Sequence, residues 1–208
     1  MRLQSNSFIN GGALPAEFAF ALPNGEHAPN RNPHLAWTGA PSNTRSFAIL
    51  CIDPDAPTRP EMAGAPGVEI PVDQPRAEFT HWCLVDIAPS VTEITAGFAS
   101  DGVTAHGKRA PKGPEGSRQG LNDYTSWFKG SDEMKGDYWG YDGPYPPPND
   151  LRVHRYVFRV YALDVAKLDL PERFTADDVK SAMSGHVLDA ADVMATYTLN
   201  DKARASLG

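Results

Sequence analysis

The sequence predicts a mainly β protein, a β-sandwich that carries a few short helices. Nineteen prolines and eighteen glycines are spread along the 208 residues. They divide the chain into short segments, which suit strands and turns better than long helices. Three of these segments are rich in β-branched and aromatic residues, the types that favour strands. Strands joined by irregular loops, with one helix late in the chain, are typical of a sandwich with helical additions.

The strands are predicted in the following order. Residues 46–52 form a continuous apolar run, so this strand should be buried on both faces. Residues 79–87 alternate in part between apolar and polar side chains, and residues 153–163 are again β-branched and aromatic. A shorter strand is expected over residues 193–199.

One helix is predicted near the C-terminus. Thr175 is a suitable N-cap, and Asp177 and Asp178 place negative charge in the first turn, where the helix dipole favours it. The apolar face extends to Met183, and Gly185 can end the helix. By contrast, residues 111–148 show little regular pattern, and a stretch of that length usually carries function or contains short elements. With no internal repeat or linker, residues 1–208 are expected to form a single domain.

Composition excludes several classes of protein. With 19 basic and 26 acidic residues the formal charge is −7, which disfavours binding to nucleic acid. No apolar run is long enough for a transmembrane segment. Cys51 and Cys83 lie in apolar runs without a CxxC spacing, so a structural zinc site is not expected. The two cysteines are interpreted as buried free thiols, which favours a cytoplasmic location.

The first candidate functional cluster is Asp53-Pro54-Asp55-Ala56-Pro57, directly after the buried strand. Each proline keeps the residue before it out of the helical region, so the two carboxylates are held in a stiff, extended turn. The alternative is a turn in which the aspartates only bond the local backbone.

Two further clusters contain histidines. His81 stands within a predicted strand, while the proline-rich segment 143–148 leads into a strand that begins with His154 and Tyr156. Each of these residues has a structural alternative as an ordinary packed residue of the core or of its edge. Taken singly, the clusters are therefore weak indications of a site.

The order of the three clusters is specific, and it resembles the phosphatidylethanolamine-binding protein family, in particular its bacterial branch similar to Raf kinase inhibitors. Segments 32–41, 116–124, 155–164 and 185–188 are also similar to that family. The resemblance implies a Greek-key β-sandwich of antiparallel sheets. Unlike animal members, this chain stops soon after its last predicted strand, so no C-terminal helix is expected to close over the pocket. The ligand-binding residues that the resemblance implies are Asp53, Asp55, Pro57, His81, Gly143, Pro144, His154 and Tyr156.

These residue types suit a small anionic or phosphate-containing ligand. A histidine beside an aspartate favours its protonated form, and the imidazolium can then present an N–H to a phosphate oxygen. The Tyr156 hydroxyl adds a donor, and backbone N–H groups near Gly143 and Pro144 would complete the cradle. A second carboxylate would meet the ammonium of an ethanolamine head group. No cofactor and no catalytic residue is predicted.

Two other functions are open to these residues. Two carboxylates and two histidines could form a metal site or an acid–base pair, as in a hydrolase, although no motif of known hydrolases or nucleotide-binding enzymes is present. The protein could also modulate a partner protein or form a homodimer through exposed aromatic residues of the long irregular stretch. The same aromatics could instead pack inward. They are Trp127, Phe128, Tyr138, Trp139 and Tyr141.

Overall fold

The computed structural model of the protein describes residues 1–205, and its core is built from two antiparallel β-sheets. One sheet has three strands in the order β1-β2-β5, and the other has five in the order β6-β4-β3-β7-β8. The predicted mainly β class, with antiparallel sheets and a few short helices, is confirmed. The strands are β1 (Arg2–Gln4), β2 (Leu35–Thr38), β3 (Ser46–Pro57), β4 (Arg76–Ile87), β5 (Glu93–Ile94), β6 (Arg118–Gln119), β7 (His154–Leu163) and β8 (Val187–Tyr197).

The helices are short and lie outside the two sheets. The α-helices are α1 (Tyr124–Trp127), α2 (Ala176–Ala182) and α3 (Asp201–Ala205), and single 3₁₀ turns cover Ala16–Phe18, Pro60–Met62 and Phe128–Gly130. The irregular stretch 111–148 therefore contains β6, α1 and one 3₁₀ turn, elements too short to leave a periodic pattern in the sequence. No helix within residues 1–205 is long and apolar enough to cross a membrane.

Side chains from both sheets meet in one apolar core. Trp37 of β2 packs edge-on against Phe47 of β3, with ring centroids 5.4 Å apart. The opposite face of β3 and β4 is covered by α2, whose Val179 packs with Leu50. The segment Ser46–Cys51 is buried throughout, so the prediction of a strand covered on both faces is confirmed. Cys51 and Cys83 are free and buried, as predicted, and burial raises the pKa of both thiols.

The predicted helix cap is present at α2. The Thr175 side chain accepts from the backbone N–H of Asp178, and the Asp178 carboxylate accepts from the backbone N–H of Thr175 at 2.8 Å. This reciprocal pairing is a capping box, with aspartate in the place of the usual glutamate or glutamine. The capping box fixes the start of α2, and the apolar residues of α2 pack on the large sheet.

Two strands extend well beyond their predicted boundaries, and long-range pairing explains both. β3 does not stop at residue 52 but continues through the proline-rich segment to Pro57, because Ala56 and Pro57 pair with β4. β8 begins at Val187 rather than at residue 193, because it follows β7 as far as Leu163. Segment 185–188 is accordingly the end of the turn after α2 and the start of β8. The chain also forms α3 after its last strand, a short helix that was not predicted from the sequence.

Candidate ligand-binding pocket

A small pocket opens where the ends of β3, β4 and β7 meet the loop 145–147. Its cavity volume is about 30 Å³, so only a few ligand atoms can enter. Trp127 and Tyr145 are 39% and 37% exposed and form its rim. The lining residues are Asp53, Ala56, Pro57, Phe79, His81, Tyr124, Trp127, Tyr145, Pro146, Pro147, His154 and Tyr156.

His154 is held in the wall of the pocket by carboxylates on both ring nitrogens. Its Nδ1 lies 2.7 Å from Asp53 Oδ2 and its Nε2 lies 3.0 Å from Asp150 Oδ2. Burial alone would lower the pKa of His154, but the two carboxylates outweigh burial and raise the pKa to about 9. His154 is therefore an imidazolium at neutral pH, and neither of its N–H groups is free for a ligand.

Arg76 completes this buried chain of charges. Its guanidinium donates to both carboxylate oxygens of Asp150, at 2.5 and 3.1 Å. It also donates to the backbone carbonyls of Asp55, Pro71 and Gln74. Burial raises the pKa of the Asp150 carboxyl, but its bonds to His154 and Arg76 outweigh this, and the pKa is lowered overall. Positive and negative groups thus alternate along this row of ion pairs, which connects Arg76, Asp150, His154 and Asp53.

His81 is oriented by the backbone of Asp142. The His81 Nδ1 lies 2.8 Å from the Asp142 carbonyl oxygen, and the Asp142 N–H donates to the His81 carbonyl at 3.0 Å. Because a carbonyl oxygen can only accept, Nδ1 must carry a hydrogen. Burial lowers the pKa of His81 below its usual range, although nearby carboxylates, Asp53 foremost, act in the opposite direction. At neutral pH its Nε2 therefore carries a lone pair, and it has no hydrogen-bond partner within residues 1–205.

The carboxylate of Asp142 anchors the loop that forms the pocket wall. It accepts from Asn30 at 2.7 Å, from Lys108 at 2.5 Å and from Asn122 at 2.8 Å. Asn30 in turn accepts from the Gly143 N–H at 2.8 Å. A Cβ at Gly143 would lie 2.1 Å from a backbone carbonyl oxygen of the neighbouring 3₁₀ turn, so only glycine permits this packing.

Tyr156 contributes an unpaired hydroxyl to the site. The side chain is fully buried and lines the pocket, and its ring packs edge-on against His81 with centroids 5.1 Å apart. Its Oη has no hydrogen-bond partner in the described part of the chain. By contrast, the neighbouring Tyr124 hydroxyl donates to the Gly143 carbonyl at 2.7 Å. Buried hydroxyls are nearly always bonded, so an unpaired one beside a pocket indicates a place for a ligand or a water.

The structure brings together Asp53, Pro57, His81, His154 and Tyr156 of the residues predicted to bind the ligand.

The other three predicted binding residues do not line the pocket. Asp55 is bound by two arginines, Arg152 at 2.9 Å and Arg155 at 2.7 and 3.0 Å, and is turned away from the ligand space. The Gly143 N–H is taken by Asn30, and Pro144 has no N–H to offer. The expectation that a histidine presents an N–H to phosphate also differs from the geometry, because the N–H groups of both histidines already have protein acceptors.

Several residues of the site were not found from the sequence. Phe79 and Trp127 line the pocket, and Tyr124 does so directly after Asn122 and Asp123, the end of a segment already noted as similar to the family. That position was the only available signal. For Arg76 and Asp150 the sequence holds none, because their roles depend on contacts between distant parts of the chain.

The aromatic residues of the long stretch pack mostly inward. Tyr138 and Tyr141 are fully buried, Phe128 and Trp139 are half-buried, and only Trp127 is exposed. The five residues therefore do not form a continuous apolar contact surface.

The chain is similar over nearly its whole length to known proteins. Residues 4–198 match the profile of the phosphatidylethanolamine-binding protein family. A UPF0098 protein of Methanothermobacter thermautotrophicus is 33% identical, over 95% of this chain and 98% of that relative. The UPF0098 protein YbhB of Escherichia coli is 30% identical, over 95% and 100% respectively. The crystal structure of E. coli YbcL, described as a member of the mammalian PEBP family, superposes with a TM-score of 0.69 at 27% identity, covering 95% of this chain and 97% of YbcL.

Proposed function

Because this chain belongs to the phosphatidylethanolamine-binding protein family, we propose that it is a non-enzymatic binding protein whose pocket takes a small phosphate-containing head group. The observation that carries the proposal is the buried Tyr156 hydroxyl, which lines the pocket without a partner in residues 1–205. A hydroxyl in that position can donate to an oxyanion at little desolvation cost, because it is already removed from water.

The charges around the pocket do not repel an anion as strongly as the number of aspartates suggests. Asp53 and Asp150 are compensated by His154 and Arg76. Asp55 faces two further arginines outside the pocket. The wall is therefore close to neutral overall, which supports binding of a monoanion or a zwitterion.

The size of the pocket supports a head group rather than a whole lipid. A cavity of about 30 Å³ holds only a few atoms. Any acyl chain would therefore remain outside the rim formed by Trp127 and Tyr145. Phosphoethanolamine, the head group named by the family, is accordingly the first ligand to test.

Replacing Tyr156 with phenylalanine is expected to weaken binding of phosphoethanolamine about 10- to 100-fold, the usual worth of a hydrogen bond to a charged group. Isothermal titration calorimetry of the wild type and the variant measures the change. Tyr161→Phe is the matched control, since Tyr161 lies on the same strand but on the opposite face of the sheet. Equal affinities for wild type and Tyr156→Phe would contradict the proposed site.

The rival function is a hydrolase that uses the aspartates and histidines. Both nitrogens of His154 are occupied by carboxylates, and the described residues contain no group of three or more His, Cys, Asp or Glu placed to hold a metal ion. These observations favour binding over turnover. Release of inorganic phosphate from phosphoethanolamine during the titrations would reverse that preference. Modulation of a partner protein and formation of a homodimer stay predictions from the sequence.

A further inference from the structure

Resting on the proposed function, we infer that the pocket binds its oxyanion together with one shared proton, and therefore prefers phosphate monoesters to sulfate esters. A phosphate monoester can carry that proton into the pocket, whereas a sulfate ester cannot. The argument follows from the donors and acceptors that line the floor of the pocket.

The floor offers few donors. Pro57, Pro146 and Pro147 make up much of the wall, and proline has no backbone N–H. The N–H groups of His154 are bonded to carboxylates, which leaves the Tyr156 hydroxyl as the unpaired side-chain donor of the floor among residues 1–205. The indole of Trp127 and the hydroxyl of Tyr145 lie at the exposed rim.

The floor also presents an acceptor, which a fully deprotonated anion cannot satisfy. The carboxylate of Asp53 already accepts from the Asp55 N–H and from His154, so it needs no donor from the ligand. His81 donates from Nδ1 to the Asp142 carbonyl, so its Nε2 is the ring nitrogen left for a ligand. In the neutral ring that nitrogen is an acceptor. A ligand oxygen without a hydrogen would be repelled there, because both atoms would present lone pairs to each other.

Titratable groups from several parts of the fold surround the His81 ring. Asp53 on β3, Asp123 and Asp142 on the loops and the phenols of two tyrosines surround the ring. The carboxylates favour the imidazolium, but burial outweighs them and keeps the pKa of His81 below its usual range. In the free protein the proton is therefore absent from Nε2 at neutral pH. A ligand that cannot be protonated itself would require the proton to reside on the buried ring, which burial disfavours.

A monoprotonated phosphate monoester satisfies the floor completely. Its P–O–H donates to His81 Nε2, and a second phosphate oxygen accepts from the Tyr156 hydroxyl. No covalent bond forms or breaks, and one proton lies between the phosphate and the imidazole. Since the second pKa of a phosphate monoester is about 6, the dianion that predominates above that pH must take up one proton when it binds.

The test is calorimetric titration of the full chain with phosphoethanolamine and with ethanolamine O-sulfate, which has the same shape but no titratable proton near neutral pH. Affinity for phosphoethanolamine is expected to fall about tenfold for each pH unit between about 6.5 and 8.5, because each unit makes the proton tenfold scarcer. Titrations in buffers of different ionisation enthalpy should show uptake of about one proton per ligand. The sulfate ester should bind at least about tenfold more weakly at pH 7.5.

The variant His81→Gln tests whether the ligand can bind without taking up a proton. The glutamine amide can present an N–H at the position of Nε2, so this variant should bind without proton uptake and lose the pH dependence. If the variant does not fold, the wild-type slope and the proton count still decide the question. Affinity that is constant or rises with pH, or equal affinity for the two esters, would overturn the inference while leaving the binding function intact. No heat with phosphoethanolamine at any pH would instead contradict the proposed function.

Discussion

Replacing Arg76 with alanine is expected to lower the free energy of unfolding by about 3–5 kcal/mol, the usual cost of removing one partner from a buried ion pair. The Arg76 side chain is 6% exposed and that of Asp150 is 1% exposed. Without the guanidinium, the Asp150 carboxylate loses its bidentate partner, and three backbone carbonyls lose a donor. Urea unfolding of wild type and variant measures the difference.

Arg173 provides a matched control for this substitution. It forms a similar two-bonded pair with Asp137, at 2.9 and 3.1 Å, but both side chains are about half exposed. Solvent screens such pairs, so Arg173→Ala should cost no more than about 1 kcal/mol. If the two variants were equally stable, the buried charge chain would contribute no more than a surface ion pair, contrary to expectation.

The protein is expected to lose stability as the pH rises from about 6.5 to about 9, because His154 is protonated in the folded state over that interval. The folded pKa is about 9, whereas histidine in an unfolded chain titrates near 6.5. A raised folded pKa stabilises the native state fully below the unfolded value, and the contribution disappears as pH passes the folded value. The shift corresponds to about 3 kcal/mol, measurable as unfolding free energy against pH.

His154→Gln should remove that slope. The variant will also be less stable overall, because Asp53 and Asp150 lose their shared cation. The informative quantity is therefore the change in stability between pH 7 and pH 9 and not the stability at one pH. His186→Gln serves as the comparison, since His186 pairs with Asp164 at a site where both side chains are over 40% exposed. A wild-type slope that persists in His154→Gln would assign it to another group.

Part of the site was predictable because it depends on residue order. Asp53, His81, His154 and Tyr156 are in motifs whose sequence along the chain resembles one family, and all four line the pocket. The buried run of β3 and the capping box of α2 were also predictable, because each depends on neighbouring residues alone.

The sequence did not predict which carboxylate of the proline-rich motif, Asp53 or Asp55, faces the pocket. In a regular strand Asp53 and Asp55 would face the same side. The ladder to β4 is instead irregular between Asp53 and Ala56, so three steps on β3 match two on β4, as in a β-bulge. Asp53 consequently faces the pocket, while Asp55 meets arginines that lie about a hundred positions later in the chain.

The protonation states of the two histidines also depend on partners that are distant along the chain. His154 is charged because Asp53 comes within 2.7 Å of it across the sheet. His81 is neutral because it is buried against a carbonyl of residue 142. The order of residue types along the chain therefore suffices to predict the fold class and five of the twelve residues that line the pocket. Charge, tautomer and orientation depend on burial and on distances that exist only after distant segments have packed together.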